Sequence, residues 1–256
     1  MQHLSPAESR MLAAIDGAAM LARVERWCAI NTGSGNLTGL ARLADELEPA
    51  LAMLPGTVRR IEGAAVPHVD EAGQEIERHF GQHLVLSVRP QANRRVLLTG
   101  HMDTVFPAGD PFQTLTWLDA GTLNGPGVAD MKGGIAVMLA ALEAFETNPA
   151  ASQIGYDVLL NSDEEVGSPS SAPLIADLAA GKLAALTFEP AALPDGTLAG
   201  ERAGSGNYSL VIHGRSAHAG RNPQDGRNAV VAAAALTLAL KALEDDGLRI
   251  NPARID

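Results

Sequence analysis

Two short apolar segments, "RVLLTG" and "YDVLLNS", stand on either side of "MKGGIAVMLAALEAF", which is apolar almost all round. A strand that is covered on both faces has a continuous apolar sequence, and a helix without a polar face must be buried. A third short segment of the same kind, "AALTFEP", follows later in the chain. Because strands alternate with helices, the sequence predicts an α/β fold with a mostly parallel, mixed sheet and helices on both faces.

The pattern changes near residue 200. "GSGNYSLVIHGR" alternates apolar and polar residues as a half-buried strand does, and "DGRNAVVAAAALTLALKALEDDG" predicts a long apolar helix. We therefore expect a first domain over residues 1–200 and the start of a smaller α+β domain over residues 201–256. A unit of two elements leaves a sheet edge open, and we expect the chain to be incomplete at its C-terminus.

The N-terminal third predicts two helices and two half-buried strands. Ser5, Pro6 and Glu8 have the pattern of a helix start, and apolar spacing extends one amphipathic helix to about Cys28. "LTGLARLADELEPALAML" predicts a second helix that ends before Pro55, whereas "TVRRIEG" and "HLVLSVRP" alternate like strands.

Composition excludes several classes of protein. The chain of 256 residues has 19 Lys and Arg against 30 Asp and Glu, a net charge of −11, whereas nucleic-acid binding normally needs a basic face. Cys28 is the only cysteine, which excludes a disulfide framework and a cysteine-based zinc site. We find neither a signal-peptide pattern nor an apolar run of membrane length. We expect a cytoplasmic protein that binds neither nucleic acid nor a membrane.

Side chains able to bind a metal follow three predicted strands and occupy one glycine-rich loop. They are His101 and Asp103 after "VLLTG", Glu164 and Glu165 after "VLLNS", Glu189 after "LTF", and Asp130 in "NGPGVADMKGG". Ligands in open α/β sheets gather beyond the carboxyl ends of the strands. One such residue alone is usually an ordinary turn residue, but four segments with the same chemistry favour a common site.

These residue types are typical of a hydrolytic metal centre. Zinc binds imidazole nitrogen and carboxylate oxygen, and a pair of metals needs a bridging carboxylate, which suits Asp130. On an extended segment Asp103 points the same way as His101, so it could hold the second ring nitrogen. Of two adjacent glutamates, Glu164 and Glu165, one can bind metal while the other contacts the attacking water.

Together, "GHMDTVFP", "GPGVADMKGG", "SDEEVGS" and "FEP" resemble the motifs of the co-catalytic zinc peptidase family, and they occur in the family's order. That family includes glutamate carboxypeptidase, acetylornithine deacetylase, succinyl-diaminopimelate desuccinylase and aminoacylase, and the motifs look most similar to those of glutamate carboxypeptidase. "GRSAHAGRNPQDGRNAV" resembles the start of the family's lid, or dimerisation, domain. The resemblance implies a catalytic domain over residues 1–200, a partial lid over residues 201–256, and a homodimer formed through the lid.

The resemblance also implies two zinc ions, for which Co²⁺ or Mn²⁺ could substitute. His101 and Glu189 would bind one zinc and Glu165 the other. Asp130 would bridge both ions, and in the family the peptide bond after this aspartate, here Asp130–Met131, is often cis.

The remaining matched residues are implied in catalysis and substrate binding. Asp103 would orient His101, and Glu164 would be the general base that takes a proton from the attacking water and passes it to the leaving amine. His218 would match the lid histidine that binds substrate or stabilises the oxyanion. The glutamate at position 189 favours cleavage of a small peptide or an N-acyl amino acid over aminopeptidase activity.

In one respect the sequence departs from the family. The family supplies a further histidine, after the lid, to the zinc held here by Glu165, whereas no histidine follows His218. The main hypothesis is a di-zinc carboxypeptidase or deacylase in a C-terminally truncated chain, and a non-catalytic metal-binding or dimerising remnant is the alternative. Glycine-rich loops leave a nucleotide-binding module open, although Lys132 is followed by glycine and so lacks the phosphate-loop pattern.

Overall fold

A computed structural model describes residues 4–70, 72–199 and 204–253. The chain divides into two compact units. The first comprises Met1–Val66 and Arg78–Gly204, and the second comprises Pro67–Glu77 and Ser205–Asp256.

Helices and strands alternate along the described residues. The helices are α1 Pro6–Ala13, α2 Gly17–Cys28, α3 Leu37–Leu51, α4 Gly133–Glu146, α5 Ala172–Ala179 and α6 Ala229–Lys241. The strands are β1 Thr57–Ile61, β2 Val66–Val69, β3 Glu75–Arg78, β4 His83–Val88, β5 Arg95–His101, β6 Thr116–Asp119, β7 Thr122–Asn124, β8 Gly155–Asn161 and β9 Ala185–Thr187. Over the described part of the chain, no helix has both the length and the apolarity needed to span a bilayer.

The main sheet has the strand order β1–β4–β8–β5–β9. Strand β5 pairs in parallel with β8 and β9, whereas β4 pairs antiparallel with β1 and β8. The predicted α/β class and mixed sheet are therefore confirmed, with two of these four pairings parallel. Two small hairpins, β2–β3 and β6–β7, lie outside this sheet, and the sequence patterns did not predict them.

Helices cover both faces of the sheet, as predicted. Leu86 and Val158 point to the larger core cluster, which includes buried residues of α2, α3 and α4. Val85 and Leu159 point to the opposite face, where Leu178 of α5 packs against them. Each strand has apolar residues on both faces because each face is covered, and burial of this surface is the main stabilising contribution to the fold.

The predicted N-terminal helix is two helices rather than one. Its start is confirmed, because Ser5 and Glu8 form a reciprocal capping box at Pro6. The prediction of a single helix up to Cys28 is wrong, since the chain breaks after Ala13 and restarts at Gly17. Asp16 caps the second helix by accepting a hydrogen bond of 3.0 Å from the Ala19 amide, and this local bond competes with continuous helix.

The second unit contains the predicted apolar helix but lacks the predicted strand. Helix α6 begins at an Asn228 cap and has no buried residue. The expectation that "GSGNYSLVIHGR" forms a strand is wrong, because residues 204–214 have no regular structure and Arg215 forms only an isolated antiparallel bridge with Arg227. A strand exists only when a neighbouring strand accepts and donates its backbone hydrogen bonds, and no described strand pairs with this segment.

Candidate metal centre

The carboxyl ends of three neighbouring parallel strands bring the site together. His101 is the last residue of β5, a short 3₁₀ turn over Glu164–Val166 follows β8, and Glu189 lies two residues beyond β9. Because β8, β5 and β9 run parallel, these ends lie at one edge of the sheet. Asp130 reaches the same place from the turn before α4.

The imidazole of His101 is the centre of the cluster. It is 1% exposed, and its Nε2 lies 3.0 Å from Asp130 Oδ1 and 3.5 Å from Glu189 Oε1. Glu164 Oε2 lies 4.0 Å from the same nitrogen. One ring nitrogen therefore faces three carboxylates.

Two overlapping sets of side chains have the composition of a metal site. In each set the ligand atoms lie within 4.8 Å of one another, and the sets are His101 with Asp130 and Glu165, and His101 with Glu164 and Glu189. One imidazole nitrogen and several carboxylate oxygens are ligands that zinc accepts. The residues present therefore fit a zinc centre.

The cluster places several carboxylates around one imidazole, so acidic groups outnumber the basic one. Burial opposes protonation of His101, but the carboxylates of Asp103, Asp130 and Glu189 outweigh it and raise its pKa to about 12. Burial and the neighbouring acids raise the pKa of Glu165 to about 7, and burial also raises that of Glu164. A bound divalent cation would relieve the repulsion among these carboxylates.

Asp103 connects His101 to the 3₁₀ turn over Glu164–Val166, the acidic turn. It is fully buried, and its carboxylate accepts hydrogen bonds from the amides of Glu164 (3.1 Å) and Glu165 (3.2 Å). His101 Nδ1 lies 3.4 Å from its Oδ1 and 3.0 Å from its backbone carbonyl oxygen. The same aspartate thus fixes the second ring nitrogen of His101 and the backbone that carries both glutamates.

Ser34 contacts Asp103, and the sequence did not predict this contact. Its hydroxyl donates to Asp103 Oδ2 at 2.7 Å, and it is almost buried. The segment is held there by a parallel bridge between Gly33 and Thr104. Its segment, "NTGSGN", carries no motif that predicts this contact, since a hydroxyl gives no sign of a partner 69 residues away.

The turn that carries Asp130 is anchored on both sides. The Asp130–Met131 peptide bond is cis, as the resemblance implies. The Met131 sulfur accepts a hydrogen bond from the His101 amide at 3.2 Å. Next to it, the buried Lys132 ammonium donates to the carbonyls of Ile30 (2.8 Å) and Trp27 (3.2 Å) at the end of α2.

A glycine allows the end of β9 to approach α4. A Cβ atom on Gly134 would lie 1.9 Å from the carbonyl oxygen of Phe188. Phe188 directly precedes Glu189, and its amide donates to the Thr99 carbonyl of β5 at 3.2 Å. Glu189 therefore reaches the cluster because no side chain stands between this strand end and the helix.

Not every predicted site residue belongs to this cluster. The structure brings together His101, Asp103, Asp130, Glu164, Glu165 and Glu189. His218 lies in the second unit, where its exposed ring accepts a hydrogen bond from the Gly220 amide at Nδ1 (3.1 Å). That bond leaves the hydrogen of a neutral imidazole on Nε2, which is then a donor.

Comparison with known proteins places this cluster in a family. The sequence profile of peptidase family M20/M25/M40 matches residues 97–249. The chain belongs to this family. The match spans every clustered residue, from His101 to Glu189, and also His218.

Two curated relatives of this chain carry different enzyme names. The chain is 32% identical to carboxypeptidase G2 of Pseudomonas sp. (strain RS-16), over 91% of this chain and 54% of that enzyme. It is 35% identical to succinyl-diaminopimelate desuccinylase of Halorhodospira halophila, over 46% of this chain and 34% of the relative. The chain thus spans about half the length, or less, of these relatives.

A solved structure shows the same fold. Human carnosine dipeptidase 1 superimposes with a TM-score of 0.56 at 21% identity, covering 70% of this chain and 40% of the dipeptidase. With the profile match, this similarity confirms the predicted family and its α/β fold.

Proposed function

We propose that this chain carries the metal centre of a di-zinc hydrolase that cleaves an amide bond in a small peptide or an N-acyl amino acid. The observation that carries the proposal is the meeting of His101 with four acidic side chains at one sheet edge. Membership of the M20/M25/M40 family supports it, as do relatives named for carboxypeptidase and desuccinylase activities.

The family resemblance supplies the ligand assignment, and all four ligands lie in the two clustered sets. His101 and Glu189 would hold one zinc ion, Glu165 would hold the second, and Asp130 would bridge them. Support for the bridging role comes from Asp130, whose Oδ1 lies 3.0 Å from His101 Nε2 and whose carboxylate also has a ligand atom within 4.8 Å of one on Glu165. Bound zinc polarises a carbonyl group and lowers the pKa of water at the site.

The proton is moved by Glu164. Its side chain is 48% exposed and lies at the rim of the ligand cluster, so it can reach both water and substrate. In the proposed reaction Glu164 takes a proton from the attacking water and transfers it to the leaving nitrogen. Asp103 holds the Glu164 amide, which keeps this carboxylate beside the ligands.

The domain roles and partners are part of the same proposal. Residues 1–200 would form the catalytic domain, and residues 201–256 would belong to the lid, through which two copies associate. His218, with Nε2 as a hydrogen-bond donor, would contact the substrate or the oxyanion. We propose a cytoplasmic location, which fits a buried, unpaired Cys28.

A Glu164→Gln variant of the full-length protein tests the proposed function. Loss of the base should lower kcat about 10²–10⁴-fold while zinc content stays unchanged, with dipeptides and N-acyl amino acids as substrates. Glu77→Gln, on the exposed part of β3, is the matched control and should keep full activity. Full activity in Glu164→Gln would contradict the mechanism, and tightly bound zinc without any turnover in the unmodified protein would favour a non-catalytic metal-binding protein.

A further inference from the structure

A buried histidine, His83, lies beneath the acidic turn and has no part in the mechanism above. It is 1% exposed and is the first residue of β4. Because β4 pairs antiparallel with β8, with Leu84 opposite Leu160, the start of β4 lies beside the end of β8. His83 is therefore next to the point where the chain leaves the sheet to form the acidic turn.

Both ring nitrogens of His83 contact the segment that carries Glu164 and Glu165. Nδ1 lies 3.3 Å from the amide nitrogen of Ser162, from which it accepts a hydrogen bond. Nε2 lies 3.2 Å from the hydroxyl of Ser170. Since Nδ1 accepts, the neutral ring carries its hydrogen on Nε2 and donates it to Ser170.

These two contacts join opposite ends of one loop, residues 162–171. Ser162 directly follows β8 and Ser170 lies just before α5, so the imidazole bridges the base of the loop. A second link closes the loop from inside, because Asp163 accepts hydrogen bonds from the amides of Ser170 (2.7 Å) and Ser171 (3.0 Å). The two glutamates are carried by the part of the loop between these links.

We propose that His83 is a positioning residue, which holds the loop so that Glu164 and Glu165 face His101. This inference rests on the proposed function of those two glutamates. Packing alone does not require an imidazole here, because an apolar side chain of similar volume would fill the space without two buried polar atoms to satisfy. Burial lowers the pKa of His83, against the opposite effects of Asp163 and Asp103, which favours the neutral ring that the Nδ1 contact needs.

Three variants of the full-length protein distinguish the effect of the Ser162 contact from that of the Ser170 contact. His83→Leu removes both, His83→Asn retains a polar group near the Nδ1 position, and His83→Gln retains one near the Nε2 position. His79→Leu, an exposed histidine on the same segment, is the matched control. The measurements are amide hydrogen exchange of residues 162–171, zinc affinity against a competing chelator, and kcat and KM.

For His83→Leu we expect faster exchange at the Glu164 and Glu165 amides, zinc affinity about tenfold weaker, and kcat about tenfold lower with KM little changed. The Asn and Gln variants should each show a smaller loss, and His79→Leu none. A folded His83→Leu protein with unchanged loop exchange and zinc affinity would overturn the proposal. If His83→Leu does not fold, unchanged exchange and affinity in both polar variants would overturn it.

The two proposals can fail separately. Unmodified protein without hydrolytic activity would count against the proposed function. Loop exchange needs neither substrate nor zinc, so it would still decide whether His83 positions the loop.

Discussion

Single residues around Asp103 show how the site depends on neighbours that do not bind metal. Asp103 accepts from the Glu164 and Glu165 amides and from the Ser34 hydroxyl. Its position sets the orientation of His101 and of the acidic turn at once. Removing a partner of this kind commonly lowers metal affinity or activity by roughly 10–100-fold.

Removing the Ser34 hydroxyl should therefore weaken zinc binding. We expect about a tenfold loss of affinity in Ser34→Ala, measured by competition with a chelator, because Asp103 loses a buried donor. Ser34→Thr keeps the hydroxyl and should recover most of the affinity. Ser9→Ala, at an exposed position of α1, is the control, and equal losses in Ser34→Ala and Ser9→Ala would argue against a specific role.

The neutral state of His83 predicts a pH dependence of stability. Because its folded pKa lies below the ordinary value of 6.5, the unfolded state takes up a proton that the folded state does not. The contribution is fully present above pH 6.5 and is lost as the pH falls from there through the folded pKa. Urea unfolding between pH 7.5 and pH 5, at steps of about half a unit, should show a shallower decline for His83→Asn, and parallel curves would contradict the assignment.

Among the elements, the contact between α4 and the end of β9 determines where Glu189 lies. In Gly134→Ala the new methyl group would meet the Phe188 carbonyl, so either the strand end or the helix must move. We expect a loss of about 1–3 kcal/mol in the free energy of unfolding, together with weaker zinc binding. Gly17→Ala, where the added group would meet nothing within 4 Å, is the control. It should be neutral or slightly stabilising, as measured by urea unfolding.

Elements also differ in how well their sequence patterns predicted them. The buried strands β5 and β8 and the helix α4 have continuous apolar sequences and form where expected. The strand expected in "GSGNYSLVIHGR" does not form, because alternation of apolar residues provides a face but no hydrogen-bonding neighbour. The break at Asp16 was missed because a side-chain cap is a local competition between two hydrogen bonds that periodicity does not report.

For the whole molecule, the crowding of acids predicts that metal stabilises the folded state. A ligand that binds only the folded protein at about 100 times its Kd adds about 2.7 kcal/mol to the free energy of unfolding. Zinc should therefore raise the Tm of chelator-treated protein, as measured by calorimetry. Asp130→Ala should abolish most of this shift relative to the metal-free Tm of the same variant, and an undiminished shift would place the metal elsewhere.

Much of this molecule could be predicted from the sequence alone. The α/β class, the coverage of both sheet faces, the family, and the set His101, Asp103, Asp130, Glu164, Glu165 and Glu189 all follow from short motifs. This was possible because strand ends of a parallel sheet meet at one edge, so order along the chain predicts proximity in space. The assigned roles of these residues stay predictions.

Only the tertiary structure revealed what holds those residues in place. Ser34, His83 and Gly134 lie far along the chain from the groups they position, and each is an ordinary residue in sequence. Their effects depend on hydrogen-bond distances and on buried contacts between elements, which no local pattern encodes. The motifs thus determined which chemistry the chain carries. The packing of β4, α4 and the segment that carries Ser34 around the site residues decided the geometry of the site.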